Sequence, residues 1–244
     1  MKKQFIILLI AVIGTATMQA QDVSYNNSIS INMGITNPLG DFAAQKLDDK
    51  SGFAKTGFSY NISYARKINP YIAAKFEYAM AINGVNTQPM ADILVQQTSL
   101  PNWNVSSDAW YQNNLMLGLE FTYPQQKLDI NFRIMSGLMF SANPSQTFSS
   151  YGEDYDFVVV AGSSSNIAFV TDFGFGFDFK INEAWAIGLN CDYIFATNSY
   201  DYTTEYYFTD YTQYEYPTTV SYSSSIWEQN ISTINITLGI KKQF

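Results

Sequence analysis

The side chains able to do acid–base or ionic chemistry are few, and their positions restrict what they can do. Lys75 and Glu77, then Glu120, then Arg133 fall on the same face of three alternating segments. Two carboxylates such as Glu77 and Glu120 could serve as general acid and base. Histidine is absent from the chain, so a hydroxyl nucleophile has no base titrating near neutrality. The single cysteine, Cys191, provides neither a disulfide nor a thiolate metal cluster. Lys75, Glu77, Glu120 and Arg133 are therefore expected to be an ion-paired structural set. No enzymatic activity, cofactor or metal centre is expected. Glu153, Asp154 and Asp156 form one acidic group, and Asp201, Glu205, Asp210 and Glu215 another. Oxygen-rich groups can hold Ca²⁺, but the spacing matches no calcium loop, and a solvated acidic face is expected.

The second feature is SYDYTTEYYFTDYTQYEYP, Ser199 to Pro217, with seven tyrosines, four acids and no lysine or arginine. Tyrosine gives large, fairly rigid contact area with a polar tip and is favoured at recognition surfaces. Tyr200, Tyr202, Tyr206, Tyr207, Tyr211, Tyr214 and Tyr216 are the candidate surface-recognition residues. They can also pack as cross-strand pairs in a protruding hairpin. The two readings are compatible.

The elements that must position these residues are strands. Period-two alternation recurs along the chain, and long helices are not indicated. From Leu128 to Phe140 one face carries Leu128, Ile130, Phe132, Ile134, Leu138 and Phe140, and the other Asp129, Asn131, Arg133 and Met135. Similar patterns run over 169–179, 185–195 and 234–244, with earlier strands near 28–36, 54–67, 70–83 and 111–123. Short turns are expected after the second, fourth and sixth strands. Long loops are expected at 37–53, 84–110, 141–165 and 197–228.

One face of these strands is bulky and apolar. The other mixes small residues with Lys75, Glu77, Glu120, Arg133 and Asp172. Eight strands enclose too little room for the bulky face, whereas Arg or Lys facing lipid at mid-membrane costs roughly 2–4 kcal/mol. The polar face is therefore read as the lumen and the apolar face as lipid-facing. A soluble eight-stranded ligand-binding barrel is the structural alternative. Residues 1–20, with Lys2 and Lys3 ahead of an apolar run, read as a secretory signal peptide. Residues 21–244 read as one barrel domain. Removal of the two lysines leaves 11 basic against 21 acidic residues, a net of −10, which argues against nucleic-acid binding.

With its leader, two-faced strands, alternating turns and loops and terminal Ile240-Lys241-Lys242-Gln243-Phe244, the chain resembles the small outer-membrane β-barrels of Gram-negative bacteria, the OmpA, OmpX and OmpW-like group. That resemblance implies an all-β, eight-stranded antiparallel transmembrane β-barrel in the outer membrane. It puts the short turns in the periplasm and four long loops outside. It also implies that Ile236, Leu238, Ile240 and Phe244 form the signal read by the barrel-assembly machinery. Aromatic girdles are expected at Tyr64, Tyr123, Phe179, Trp185 and Phe244 on one side and at Phe58, Trp110, Phe140, Phe195 and Trp227 on the other. The function implied is a structural or surface-interaction scaffold, meeting outer-membrane lipid around its wall and an extracellular ligand through loops three and four. The alternative is a narrow OmpW-like conduit for small solutes.

Overall fold

The structure, a computed structural model, describes residues 26–46, 50–98, 100, 102–212 and 218–244. The expected leader, with Tyr214, Glu215 and Tyr216, lies outside the described residues. Eight long strands form the ring: β1 (Asn27–Pro38), β2 (Gly57–Asn69), β3 (Ile72–Asn83), β5 (Trp110–Pro124), β6 (Leu128–Ala142), β9 (Ser165–Lys180), β10 (Trp185–Asp210) and β11 (Thr218–Gln243). Each pairs antiparallel with its neighbours, and β11 returns to β1. At the seam Phe244 and Asn27 exchange backbone hydrogen bonds of 2.9 and 3.0 Å. The closed ring leaves no edge along this part of the wall.

Three tight turns join neighbouring strands at one end, and side-chain amides shape two of them. Asn69 Oδ1 accepts from the Tyr71 N–H at 2.8 Å, and Asn182 Oδ1 accepts from Ala184 and Trp185 at 2.9 Å, the local bonding that favours asparagine in turns.

The other end departs from the expected loops. The segment after β1 turns at Gly40, whose φ of +56° suits glycine, into a short helix, α1 (Gly40–Ala43). The segment after β3 contains an 11-residue helix, α2 (Thr87–Gln97), then β4 (Asn104–Ser107). Strands β7 (Gln146–Tyr151) and β8 (Tyr155–Ala161) fill the segment after β6. Among the described residues, the first three of these segments contain two helices and three extra strands, and the fourth forms the protruding hairpin that its tyrosines allowed. β10 and β11 each run 26 residues, roughly 85 Å at 3.3 Å per residue. A bilayer needs only about 9–11 tilted residues, so both strands project well past it. On the projecting part of β10, Thr204–Asp210 pairs with β8, β8 with β7, and β7 with β4. A second sheet, β11–β10–β8–β7–β4, thereby continues from the ring.

Candidate functional site

Register fixes which side chains enter the ring. In β6, Arg133 and Met135 point inward and are 4 % and 1 % exposed, whereas Phe132 and Ile134 point outward and are 44 % and 43 % exposed. Leu117, Phe169 and Leu238 lie outward on other strands and are more exposed still. The lumen these strands enclose is filled in three layers.

The layer nearest the turns is ionic. Lys75 Nζ lies 3.5 Å from Glu77 and 3.2 Å from Glu120. Glu120 also takes Lys241 at 3.0 Å, and Lys241 reaches Asp178 at 2.9 Å. Arg133 pairs with Asp192 at 2.5 Å and donates to Asn190 at 2.7 Å. Of the four residues expected here, Lys75, Glu77 and Glu120 are joined directly, while Arg133 takes a different carboxylate. Lys241, Asp178 and Asp192 complete the network and were not expected in it. Room for the guanidinium comes from glycine: a Cβ at Gly174 would lie 2.6 Å from Arg133 Nε.

The middle layer is apolar, where small and polar residues were expected to dominate. Met116, Met135, Met139, Val170, Ile194 and Ile231 are almost fully buried in one apolar cluster. Asp172 sits between this layer and Arg133, opposite Met135 and Ile194 in register. Its carboxylate oxygens find no hydrogen-bond partner among the described residues.

An aromatic lid closes the loop end. Trp110 packs at ring-centre distances of 5.3 Å from Phe42, 5.9 Å from Tyr200 and 5.6 Å from Trp227. Its indole N–H donates to the Gly52 carbonyl at 3.0 Å, and the Tyr200 hydroxyl meets Ser141 Oγ at 2.6 Å. The outward apolar positions of β10 end at Phe195, so Tyr200 lies beyond the spanning part, where burial pushes its hydroxyl up to about 12. Trp110 and Trp227 are therefore lid residues and not outer girdle residues. Tyr200 is fully buried and cannot serve surface recognition.

Beyond the lid, Tyr202 and Tyr206 line a cavity of about 710 Å³ between the second sheet and α2. Tyr207 and Tyr211 donate to Glu205 and Asp156, and these carboxylates hold both phenols above the usual tyrosine range. Asp210 accepts from the backbone N–H of Thr212 at 2.9 Å, and Asp201 from Ser224 at 3.3 Å. Several loop acids thus serve the sheet. Ile236, Leu238 and Ile240 face outward on β11, and Phe244 follows it at the seam.

A closed antiparallel ring with charges paired inside and an apolar belt outside is a transmembrane β-barrel of the outer-membrane type. The outer membrane is the compartment this construction suits. No family model matches the chain, and no curated protein does. Among solved structures it is similar to Ail, the attachment invasion locus protein of Yersinia pestis, at 14% identity over 91% of this chain and 100% of that one, with a TM-score of 0.47. It is also similar to Neisserial surface protein A, at 9% identity over 89% and 97% with a TM-score of 0.49. A third is OprG from Pseudomonas aeruginosa, at 10% identity over 89% and 96% with a TM-score of 0.35.

Proposed function

We propose that this outer-membrane barrel is a non-conducting scaffold that holds the second sheet and the acidic, tyrosine-bearing hairpin on the cell surface. The observation that carries the reading is the three-layer filling of the lumen by ion pairs, methionines and the Trp110 lid. An eight-stranded ring has little bore to begin with. Passage would require separating Lys75 from Glu120 and Arg133 from Asp192, and breaking a buried pair costs roughly 3–5 kcal/mol. On this reading the loop end faces outward, the barrel-assembly machinery engages the β11 face bearing Ile236, Leu238, Ile240 and Phe244, and partners meet the hairpin through Tyr207 and Tyr211. The ion-paired carboxylates are structural, and lipid turnover by the purified barrel is expected to be undetectable. Single-channel recording in planar bilayers tests the central claim: the wild-type protein is expected to be silent, and discrete, steady conductance steps would establish the conduit instead.

A further inference from the structure

The cavity beyond the lid is built like a small-molecule site, and nothing in the scaffold role requires it. It lies on the inner side of β10 and β11, in line with the lumen. Its floor is closed where Trp227 packs on Trp110 and Tyr200. Its volume of about 710 Å³ falls within the roughly 300–1,000 Å³ of ligand pockets. Rings and aliphatic chains dominate the wall, among them Met90, Leu94, Trp103, Phe148, Phe157 and Tyr206.

The chemistry of that wall restricts the occupant. A sugar would need polar groups to replace the water bonds of its hydroxyls. Several polar groups of the wall are committed to the protein: Thr98 Oγ1 accepts from Trp103 Nε1 at 2.8 Å and donates to the Leu94 carbonyl, and Asn143 Oδ1 accepts from the Ser164 N–H. Among the described residues, the lining includes one side chain charged at neutral pH, Lys46, and no carboxylate. A cation at the margin of an apolar hollow complements one anionic head on one apolar tail.

We propose that this cavity captures a single-chain anionic amphiphile of the fatty-acid type from the aqueous phase at the loop end, tail against Trp103 and Tyr206 and carboxylate toward Lys46. With the lid beneath it, the site holds its ligand and does not pass it on. This inference goes beyond the scaffold role and stands whether or not the hairpin binds a partner.

The test uses the barrel in phosphatidylcholine nanodiscs, where both ends are accessible, with a diazirine-bearing palmitate as photoprobe and mass spectrometry to map the labels. Label is expected on α2 and on the inner faces of β10 and β11, in addition to background label on the lipid belt. Laurate should displace the cavity label, whereas dodecyltrimethylammonium and maltoheptaose should not. Val159→Trp, which fills the cavity, should abolish that label and leave the belt label as an internal control. Lys46→Glu, an exposed change that spares the fold, should weaken competition by laurate about twofold to fivefold, in line with an exposed charge pair. The proposal is overturned if label is confined to the belt. It is also overturned if the cationic amphiphile or the sugar competes as well as laurate, or if Lys46→Glu leaves laurate competition unchanged.

Discussion

At the scale of single residues, the lumen separates charges that hold the barrel together from one that does not. Asp192 is satisfied by Arg133 at 2.5 Å, whereas Asp172, two positions further along inward-facing rows, is equally buried and has no hydrogen-bond partner among the described residues. The two aspartates should therefore respond oppositely to the same change. Asp192→Asn should lower the unfolding temperature, because it removes the carboxylate in direct contact with a buried guanidinium. Asp172→Asn should leave it unchanged or raise it. Arg133→Leu strands Asp192 and should cost about 3–5 kcal/mol without opening a conductance, since the methionine layer and lid remain. Thermal unfolding in detergent, followed by circular dichroism, measures all three. Tyr200 provides a pH signature in the lid. Its hydroxyl titrates near 10 in the unfolded chain and at about 12 when folded, so the protonated phenol is the form that folding favours. Its contribution is complete below pH 10 and is lost as pH rises through 12. The informative quantity is a difference between variants. The stability advantage of wild type over Tyr200→Phe should be constant below pH 10 and shrink between 10 and 12.

At the scale of elements, the projecting hairpin is braced and not free. β10 is paired on both sides along Thr204–Thr209, with β11 on one flank and β8 on the other. Proteolysis needs a locally opened chain, so chymotrypsin on intact cells should spare Tyr202–Phe208 and Tyr222–Trp227. Trypsin, which has no site between Lys180 and Lys241, should cut at Lys46 or Lys50. Rapid cleavage at Tyr206 or Tyr207 would contradict the braced sheet. How far these elements could be read from sequence follows from the range of the forces that set them. Strand parity is local, so the inward placement of Lys75, Glu120 and Arg133 and the outward placement of Phe132 and Ile134 were legible. The same parity places Trp110 with Gln112 and Asn114, and Trp227 with Gln229 and Ile231, on the inner face. Reading the two tryptophans as interfacial by residue type overrode a signal already present. Helix α2 also left a trace, in the i, i+3, i+4 spacing of Met90, Ile93 and Leu94. The Glu120–Lys241 bond left none. It crosses the lumen between strands 121 positions apart, and only closure of the ring brings the two together. The pairing of β8 with β10 is similarly nonlocal, because an apolar run such as Phe157–Val160 does not name its partner strand.

At the scale of the whole molecule, two solvents act on one wall. Within the ring every strand is paired on both sides, as the absence of water in hydrocarbon demands of the backbone, and the outward apolar side chains form a second apolar surface beside the small methionine-rich cluster inside the lumen. The belt has a definite edge at the turn end. There Lys242, on the lipid-facing side of β11, lies 5.4 Å from the centre of the Trp185 ring, a cation–π arrangement that suits a lysine at the interface with its ammonium toward the headgroups. Depth in the bilayer should therefore decide the cost of a charge on this surface. Ile134 lies near the middle of β6, between Leu119 and Phe173, and Phe179 lies at the turn end of β9, beside Leu128 and Ile187. Ile134→Arg should lose about 2–4 kcal/mol of folding free energy in lipid vesicles and Phe179→Arg about 0–1, as measured by reversible unfolding in denaturant. A soluble barrel exposing the same faces to water would show no such gradient, and Ile134→Arg would be close to neutral. Equal, small costs at the two positions would thus place the belt in water and overturn the membrane assignment, whereas the expected contrast measures how deep in the bilayer each position sits.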